Sequence, residues 1–236
     1  MLIVFAAAAF PHLLLAQTGW FYRYEAYLIA LGTLGVALAL GRRVPGRISL
    51  KVSRNTAVKA GIAAAAVIVG ASPIVPRAYL SHREAPQGTR NIYEQQVQMS
   101  RFLKAYYEGE VVAANDIGAI NFYADIRCLD LWGLSTLDVT RARLEGRFDT
   151  DFLSALAQAN GAKIAVAYEV WYAEFGGLPK QWNLIGQWTI DKNVVAGSPV
   201  VSFYAIDPAE AGNLYEHLVA FAAELPPTVR HWERQP

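Results

Sequence analysis

The sequence predicts a membrane α-helical segment of two to three transmembrane helices, followed by an extracytoplasmic α/β domain with a mostly parallel sheet. Three observations predict it. Between Gly41 and Ala60 the chain carries Arg42, Arg43, Arg47, Lys51, Arg54 and Lys59 with no Asp or Glu among them. Charge-free stretches flank that run, Ala26 to Leu40 and Gly61 to Val75. Beyond residue 90, helical and strand periodicities alternate, which is the pattern of helices packed on a sheet.

Short loops rich in Lys and Arg resist translocation, so the basic run is expected to stay in the cytoplasm and the two flanks to span a membrane. The predicted organisation is residues 1–80 as transmembrane helices with a basic cytoplasmic loop at 41–60, residues 81–90 as a polar linker, and residues 91–236 as the extracytoplasmic domain. The expected location is the inner (plasma) membrane, multi-pass, with membrane lipids as surroundings. Each charge-free core is 15 residues long, shorter than the roughly 20 that span hydrocarbon, although tilt and interfacial aromatics extend the reach. The alternative is two buried helices of a soluble domain.

Met1 to Ala16 is apolar except for His12, and reads as a third membrane segment. No positive charge precedes it, so a secretory signal is the weaker reading. A chain that is apolar from its first residue looks like the rear portion of a longer membrane protein, or a gene begun at an internal Met. The missing N-terminal membrane portion is then itself an expected partner.

Hydrophobic residues make up 54% and charged residues 17% of the chain, with mean hydropathy +0.21, and the apolar excess lies before residue 80. The stretch from residue 91 to the end is long enough for one domain with its own core. The net charge of +1 points to no nucleic acid and no acidic partner. Cys128 is the single cysteine, which excludes an intrachain disulfide and a cysteine metal cluster; a buried small hydrophobe at a strand end is its expected role. No His/Asp/Glu group has ligand spacing, so no metal is expected. No G-x-G-x-x-G follows a strand and no phosphate loop occurs, so no cofactor is expected.

Within the domain, Ile92 to Tyr107 has apolar residues at helical spacing and ends at Gly109. Val111 to Ala114 and Arg127 to Leu131 read as buried strands, with a turn and helix at Asp116 to Tyr123 between them. Thr150 to Asn160 is a helix capped by Gly161, and Lys163 to Trp171 a third strand. Gln187 to Ile190 and Val200 to Ile206 look like an antiparallel pair at the sheet edge. Pro208 to Leu225 is a final helix with Asp207 as N-cap and Pro208 in its first turn.

Asn115 and Asp116 follow the carboxyl end of a predicted strand, where open α/β sheets gather ligands. For Asp116 the competing role is a helix N-cap. Asp125 and Asp130 lie nearby, but on different elements. The run Gly19-Trp20-Phe21-Tyr22-Arg23-Tyr24-Glu25 offers the second surface. Arg23 and Glu25 are two apart and do not face each other on a helix, which leaves the guanidinium available for a phosphate. His12 could reach the same region, and an ionisable residue at membrane depth suggests function by default. Against that, Arg23 could snorkel to headgroups and His12 could cap a bend at Pro11. Trp171, Tyr172, Phe175, Trp182 and Trp188 would suit sugar stacking, though such residues more often fill a core.

The stretch His12 to Leu28, together with Val111-Val112-Ala113-Ala114-Asn115-Asp116-Ile117-Gly118-Ala119-Ile120 and Cys128-Leu129-Asp130-Leu131-Trp132-Gly133-Leu134, resembles the rear part of bacterial multi-pass glycosyltransferases of the GT-C type. This is the broad, glycosyltransferase family 39-like group of protein mannosyltransferases and the aminoarabinose transferase of lipid A. The resemblance implies an enzyme that moves a sugar from a polyprenyl-phosphate carrier to an acceptor on the outer face of the membrane. It implies Arg23 as the residue holding the carrier phosphate, with His12, Tyr24 and Glu25 as neighbours. Asn115 and Asp116 would then belong to an outer domain that covers the site or binds the acceptor. The family's acidic base stands in an early outer loop without counterpart here, so no catalytic residue carries over. The alternative function is a membrane-anchored, non-catalytic α/β domain that binds a glycan or a protein partner.

Overall fold

The computed structural model describes residues 2–16, 23–41 and 54–236. They form two compact units, residues 1–85 and 86–236.

In the first unit lie α1 (Leu2–Leu15), α2 (Ala26–Gly41), α3 (Arg54–Ala71) and most of α4 (Ile74–Ile92). The membrane expectation is corrected here: among the described residues no helix is long and apolar enough to cross a membrane. At 1.5 Å per residue, the 14 residues of α1 and 16 of α2 fall well short of a hydrocarbon layer about 30 Å thick. The 18-residue α3 begins on Arg54-Asn55 and carries Lys59, which lowers its hydropathy. The transmembrane segment, the multi-pass inner-membrane location and the extracytoplasmic placement of the domain are therefore withdrawn. Residues 42–53 of the basic loop lie outside the described residues, and residues 54–60 are helix. The expected linker at 81–90 is also helix, within α4 and despite Pro86. Packing holds that stretch helical against proline's cost: Gly88 and Asn91 are buried, and Gln87 and Asn91 both donate to the Lys192 carbonyl.

The second unit continues from α4 through a π-helical turn (Tyr93–Val97) into α5 (Gln98–Tyr106). There follow β1 (Val111–Ala114), α6 (Gly118–Tyr123), β2 (Arg127–Asp130), α7 (Leu137–Leu144), α8 (Thr150–Ala159) and β3 (Ile164–Ala167). A 3-10 segment (Glu169–Phe175), β4 (Asn183–Ile190), β5 (Val200–Ala205), α9 (Ala211–Ala222) and β6 (Val229–Glu233) complete it. Gly161, at φ +64, ends α8 in the left-handed region that favours glycine. Before α9, the Asp207 carboxylate accepts the Ala209 amide at 2.9 Å.

The strand order is β2-β1-β3-β5-β4-β6. Only β2, β1 and β3 are parallel; β5, β4 and β6 are antiparallel to their neighbours. The sheet is mixed, not mostly parallel, because β3 is followed by a 3-10 segment and a hairpin instead of a crossover helix. The β4–β5 pair forms as expected but is not at the edge, since β6 covers β4.

Strand alternation divides the core. Val112, Ala114, Val166, Trp188 and Phe203 pack with Phe102, Ile120, Leu218 and Phe221 of α5, α6 and α9. Ala113, Ala165 and Tyr204 pack with Val139, Ala142, Leu153 and Ala157 of α7 and α8 on the other face. From β1 the chain passes to β2 on one side, and from β2 back across to β3 on the other. The order of strands thus reverses between β1 and β3, and this fixes where an open α/β sheet leaves a crevice at its carboxyl edge.

Candidate functional site

Asn115 and Asp116 stand at that reversal. The Asn115 side-chain oxygen accepts the Tyr168 amide at 3.1 Å, which ties the ends of β1 and β3 together. Asp116 is not an N-cap: α6 starts after Ile117, with no side-chain cap. Its carboxylate instead accepts from Gln96 Nε2 at 3.1 Å and lies 3.2 Å from the Tyr168 hydroxyl. The Tyr168 hydroxyl is also 2.8 Å from Gln95 Oε1. Burial, reinforced by the Asp116 charge, raises the Tyr168 pKa well above the usual phenol value. Gln95 and Gln96 reach this point from the π-helical turn, a local widening that often marks functional sites. Gln96 Oε1 and Asn115 Nδ2 are buried without a partner among the described residues. Nothing in the sequence signals the two glutamines, because helix periodicity assigns polar residues to the solvent side.

Asp130, fully buried, organises the next loop. It accepts the backbone amides of Trp132, Gly133, Ser135 and Thr136 at 2.8, 3.2, 2.6 and 3.1 Å. With the Ser135 hydroxyl at 3.4 Å as a fifth donor, the Asp130 carboxylate is a structural anchor of the loop. The loop presents Trp132, which meets Trp171 at 5.0 Å, while the Arg143 guanidinium lies 4.0 Å from its ring centre. Cys128 packs on the opposite face, against the core of Phe102, Ile120 and Val112, and its thiol is pushed up to about 11, mainly by burial and then by the Asp130 charge. It is an inert small hydrophobe at neutral pH.

A concavity lies further along the same sheet face as the Trp132 cluster. It measures about 480 Å³ and is lined by Glu169, Val170, Ala173, Gly177 to Lys180, Trp182 and Tyr204, within the size range of small-molecule sites. Gly176 and Gly177, at φ +89 and +87, make the turn that folds Leu178 to Trp182 back over β5. Trp182 and Tyr204 are nearly buried and pack at 6.4 Å. Glu169, just past β3, has its Oε1 held by the Ser202 hydroxyl at 2.5 Å and by Gln187 Nε2 at 3.2 Å. Burial raises the Tyr204 pKa, and its hydrogen bond to the Glu169 carboxylate raises it further. A carboxylate offers about four acceptor positions, so the two donors Ser202 and Gln187 leave room for a ligand hydroxyl.

Of the aromatic residues considered for sugar stacking, only Trp182 lines this cleft. Tyr172 and Trp188 are buried in the two cores, and Trp171 and Phe175 belong to the Trp132 cluster.

The first unit holds the remaining candidates. His12 is nearly buried, with Nδ1 2.9 Å from the Tyr27 hydroxyl. Arg23 lies against Tyr24, its guanidinium 5.1 Å from the ring centre and donating to the hydroxyl at 3.3 Å. Glu25 pairs with Arg77 at 2.6 Å. His12 Nε2 is buried without a hydrogen-bond partner among the described residues, and these contacts do not gather the four into one anion site. Among the described residues no group of three or more His, Cys, Asp or Glu could hold a metal ion.

Residues 90–204 match the family described as Domain of unknown function (DUF8728), a span just under half of the chain. It runs from the end of α4 through β5, and so includes the strand reversal and every residue of the cleft. No curated protein and no solved structure matches the chain.

Proposed function

We propose that the α/β unit binds a saccharide in the cleft beside Glu169. The observation that carries this reading is a carboxylate held by Ser202 and Gln187 at the wall of a 480 Å³ cleft that Trp182 and Tyr204 also line. Sugars offer hydroxyl donors on their edges and weakly polar C–H groups on their faces. A pre-oriented carboxylate satisfies the first and an aromatic floor the second. Lys180 and the carbonyl-rich turn at 177–180 add polar groups at the rim, which suits orientation of a polyol. This is the glycan-binding alternative read from the sequence, without its membrane anchor. Transfer of that sugar from a polyprenyl-phosphate carrier is the wider proposal, and it rests on the resemblance alone.

The test is calorimetric titration of the intact chain with glucose, galactose, mannose and N-acetylglucosamine. At least one is expected to bind, and Glu169→Ala to weaken it by about tenfold or more, since a hydrogen bond to a charged group contributes about 1.5–3 kcal/mol. Absence of binding at millimolar sugar, or equal binding by Glu169→Ala, refutes the proposal.

A further inference from the structure

Resting on the saccharide reading, we infer that the ligand is an oligosaccharide whose chain runs from Glu169 at the cleft over the half-buried Gln187 to the exposed Trp232. The strand register aligns one row of residues on this face. Ala167 of β3 pairs with Ser202 of β5, Ser202 with Gln187 of β4, and Gln187 with Trp232 of β6. Neighbouring strands lie about 4.8 Å apart, so Trp232 stands on the order of 10 Å from Ser202, the reach of a di- or trisaccharide.

The row is chemically continuous. Gln187 Nε2 donates to Glu169 Oε1 and to Ser202 Oγ at 2.9 Å, so the residue beside Trp232 is the one that helps hold the cleft carboxylate. The next row outward on the same face pairs Thr189 with Arg230, and Arg230 is joined to Asp191 at 3.0 Å. Polar side chains with planar donors and acceptors therefore flank a large aromatic ring.

Exposure separates this stretch from the rest of the sheet. On the opposite face α9 covers β4 and β6, where Leu218 and Phe221 pack against the strands with Trp188. On this face Gln187 and Thr189 are half-buried, Arg230 is exposed, and Trp232 is 48% exposed. An edge-strand tryptophan with that much open surface, next to hydrogen-bonding side chains and level with a formed cleft, fits the apolar face of a sugar ring better than bulk water. Trp232 also lies beyond residue 204, where the family match ends. The β6 part of the platform, Arg230 and Trp232, thus lies outside the matched segment while Gln187 and Thr189 lie within it; Trp232 would set ligand length, while the cleft sets recognition of one sugar unit.

The experiment compares monosaccharides with the corresponding tetrasaccharides (mannotetraose, cellotetraose, chitotetraose) on the intact chain, as wild type, Trp232→Ala and Trp232→Phe, with thermal melts to verify folding. The inference expects the matching tetrasaccharide to bind more tightly than its monosaccharide. It expects Trp232→Ala to weaken the tetrasaccharide about fivefold to tenfold and leave the monosaccharide unchanged, with Trp232→Phe restoring most of the loss. Monosaccharide binding with a tetrasaccharide indifferent to Trp232→Ala overturns the extended platform and leaves the cleft reading standing. If no sugar of either length binds the wild type, both fall together.

Discussion

Replacing Asp130 by Ala removes one fully buried carboxylate and leaves four backbone amides, those of Trp132, Gly133, Ser135 and Thr136, without acceptors. A hydrogen bond to a charged group contributes about 1.5–3 kcal/mol, and a naive sum over four would reach about 6–12 kcal/mol. That sum is too large, because bonds sharing one acceptor are not additive. Leu134 and Ser135 are also exposed, so water can reach part of the loop once the carboxylate is gone. The cost of stranding two or so amides remains, about 3–4 kcal/mol, and for a unit of this size a fall in melting temperature of about 10 °C. Urea denaturation followed by tryptophan fluorescence measures it, with Asp130→Asn as the intermediate case that keeps one acceptor oxygen. A loss below about 1 kcal/mol in Asp130→Ala would refute the view of Asp130 as the loop's anchor and reopen a chemical role for it.

Packing and titration give two more expected outcomes. Gly197→Ala would place a Cβ 2.5 Å from Trp171 Cζ2 and 2.8 Å from the Tyr168 ring, and should cost about 1–3 kcal/mol in urea denaturation; an unchanged midpoint would show that the loop over Tyr168 yields freely. His217 stacks on Tyr106 at 4.4 Å, and desolvation lowers its pKa below the ordinary 6.5 despite the opposing charges of Glu210 and Glu216. Its folded value lies below its unfolded one, so the unfolded chain binds the extra proton. The stability His217 lends is complete above about pH 6.5 and is lost as the pH drops through that value toward the lower folded pKa. Denaturation of wild type and His217→Gln at pH 7.5 and 5.5 checks this: the wild type should lose more stability on acidification, and equal losses would contradict the lowered pKa.

The second unit is legible in the chain to a considerable depth. Val111–Ala114 and Thr150–Ala159 stand out because an unbroken apolar run and 3.6-residue spacing announce them, and Gly161 closes its helix for a reason local to its own φ. Two elements carry no such signal. Leu137–Leu144 is short and only weakly amphipathic, and Val229–Glu233 reads Val-Arg-His-Trp-Glu, a polar edge strand with one face in water. The third strand is shorter than its pattern suggests. Tyr168 to Trp171 keeps aromatic character, whereas the backbone there turns into a 3-10 segment and places Glu169 over the cleft.

The candidate site is only half legible. Asn115 and Asp116 are marked by their place after a strand, but their partners Gln95, Gln96 and Tyr168 come from about 20 residues upstream in helical sequence and from 53 residues downstream. Glu169, Ser202, Gln187 and Trp232 lie on four separate elements and have no spacing that could announce them. The same limit explains the first unit, where uncharged runs look like membrane spans although helix length is settled by where each helix starts and stops.

Which segments of the α/β unit are apolar on one face, where several helices cap, and that Cys128 has no cysteine partner in the chain are all readable from residue order alone. Those are local properties, decided by side-chain size, branching and charge within a few residues. Sheet order, the mixture of parallel and antiparallel strands, and the meeting of Glu169 with Ser202 and Gln187 follow from long-range packing. Register and topology depend on burial of whole faces against one another, and that energy is a sum over contacts between residues far apart in the chain.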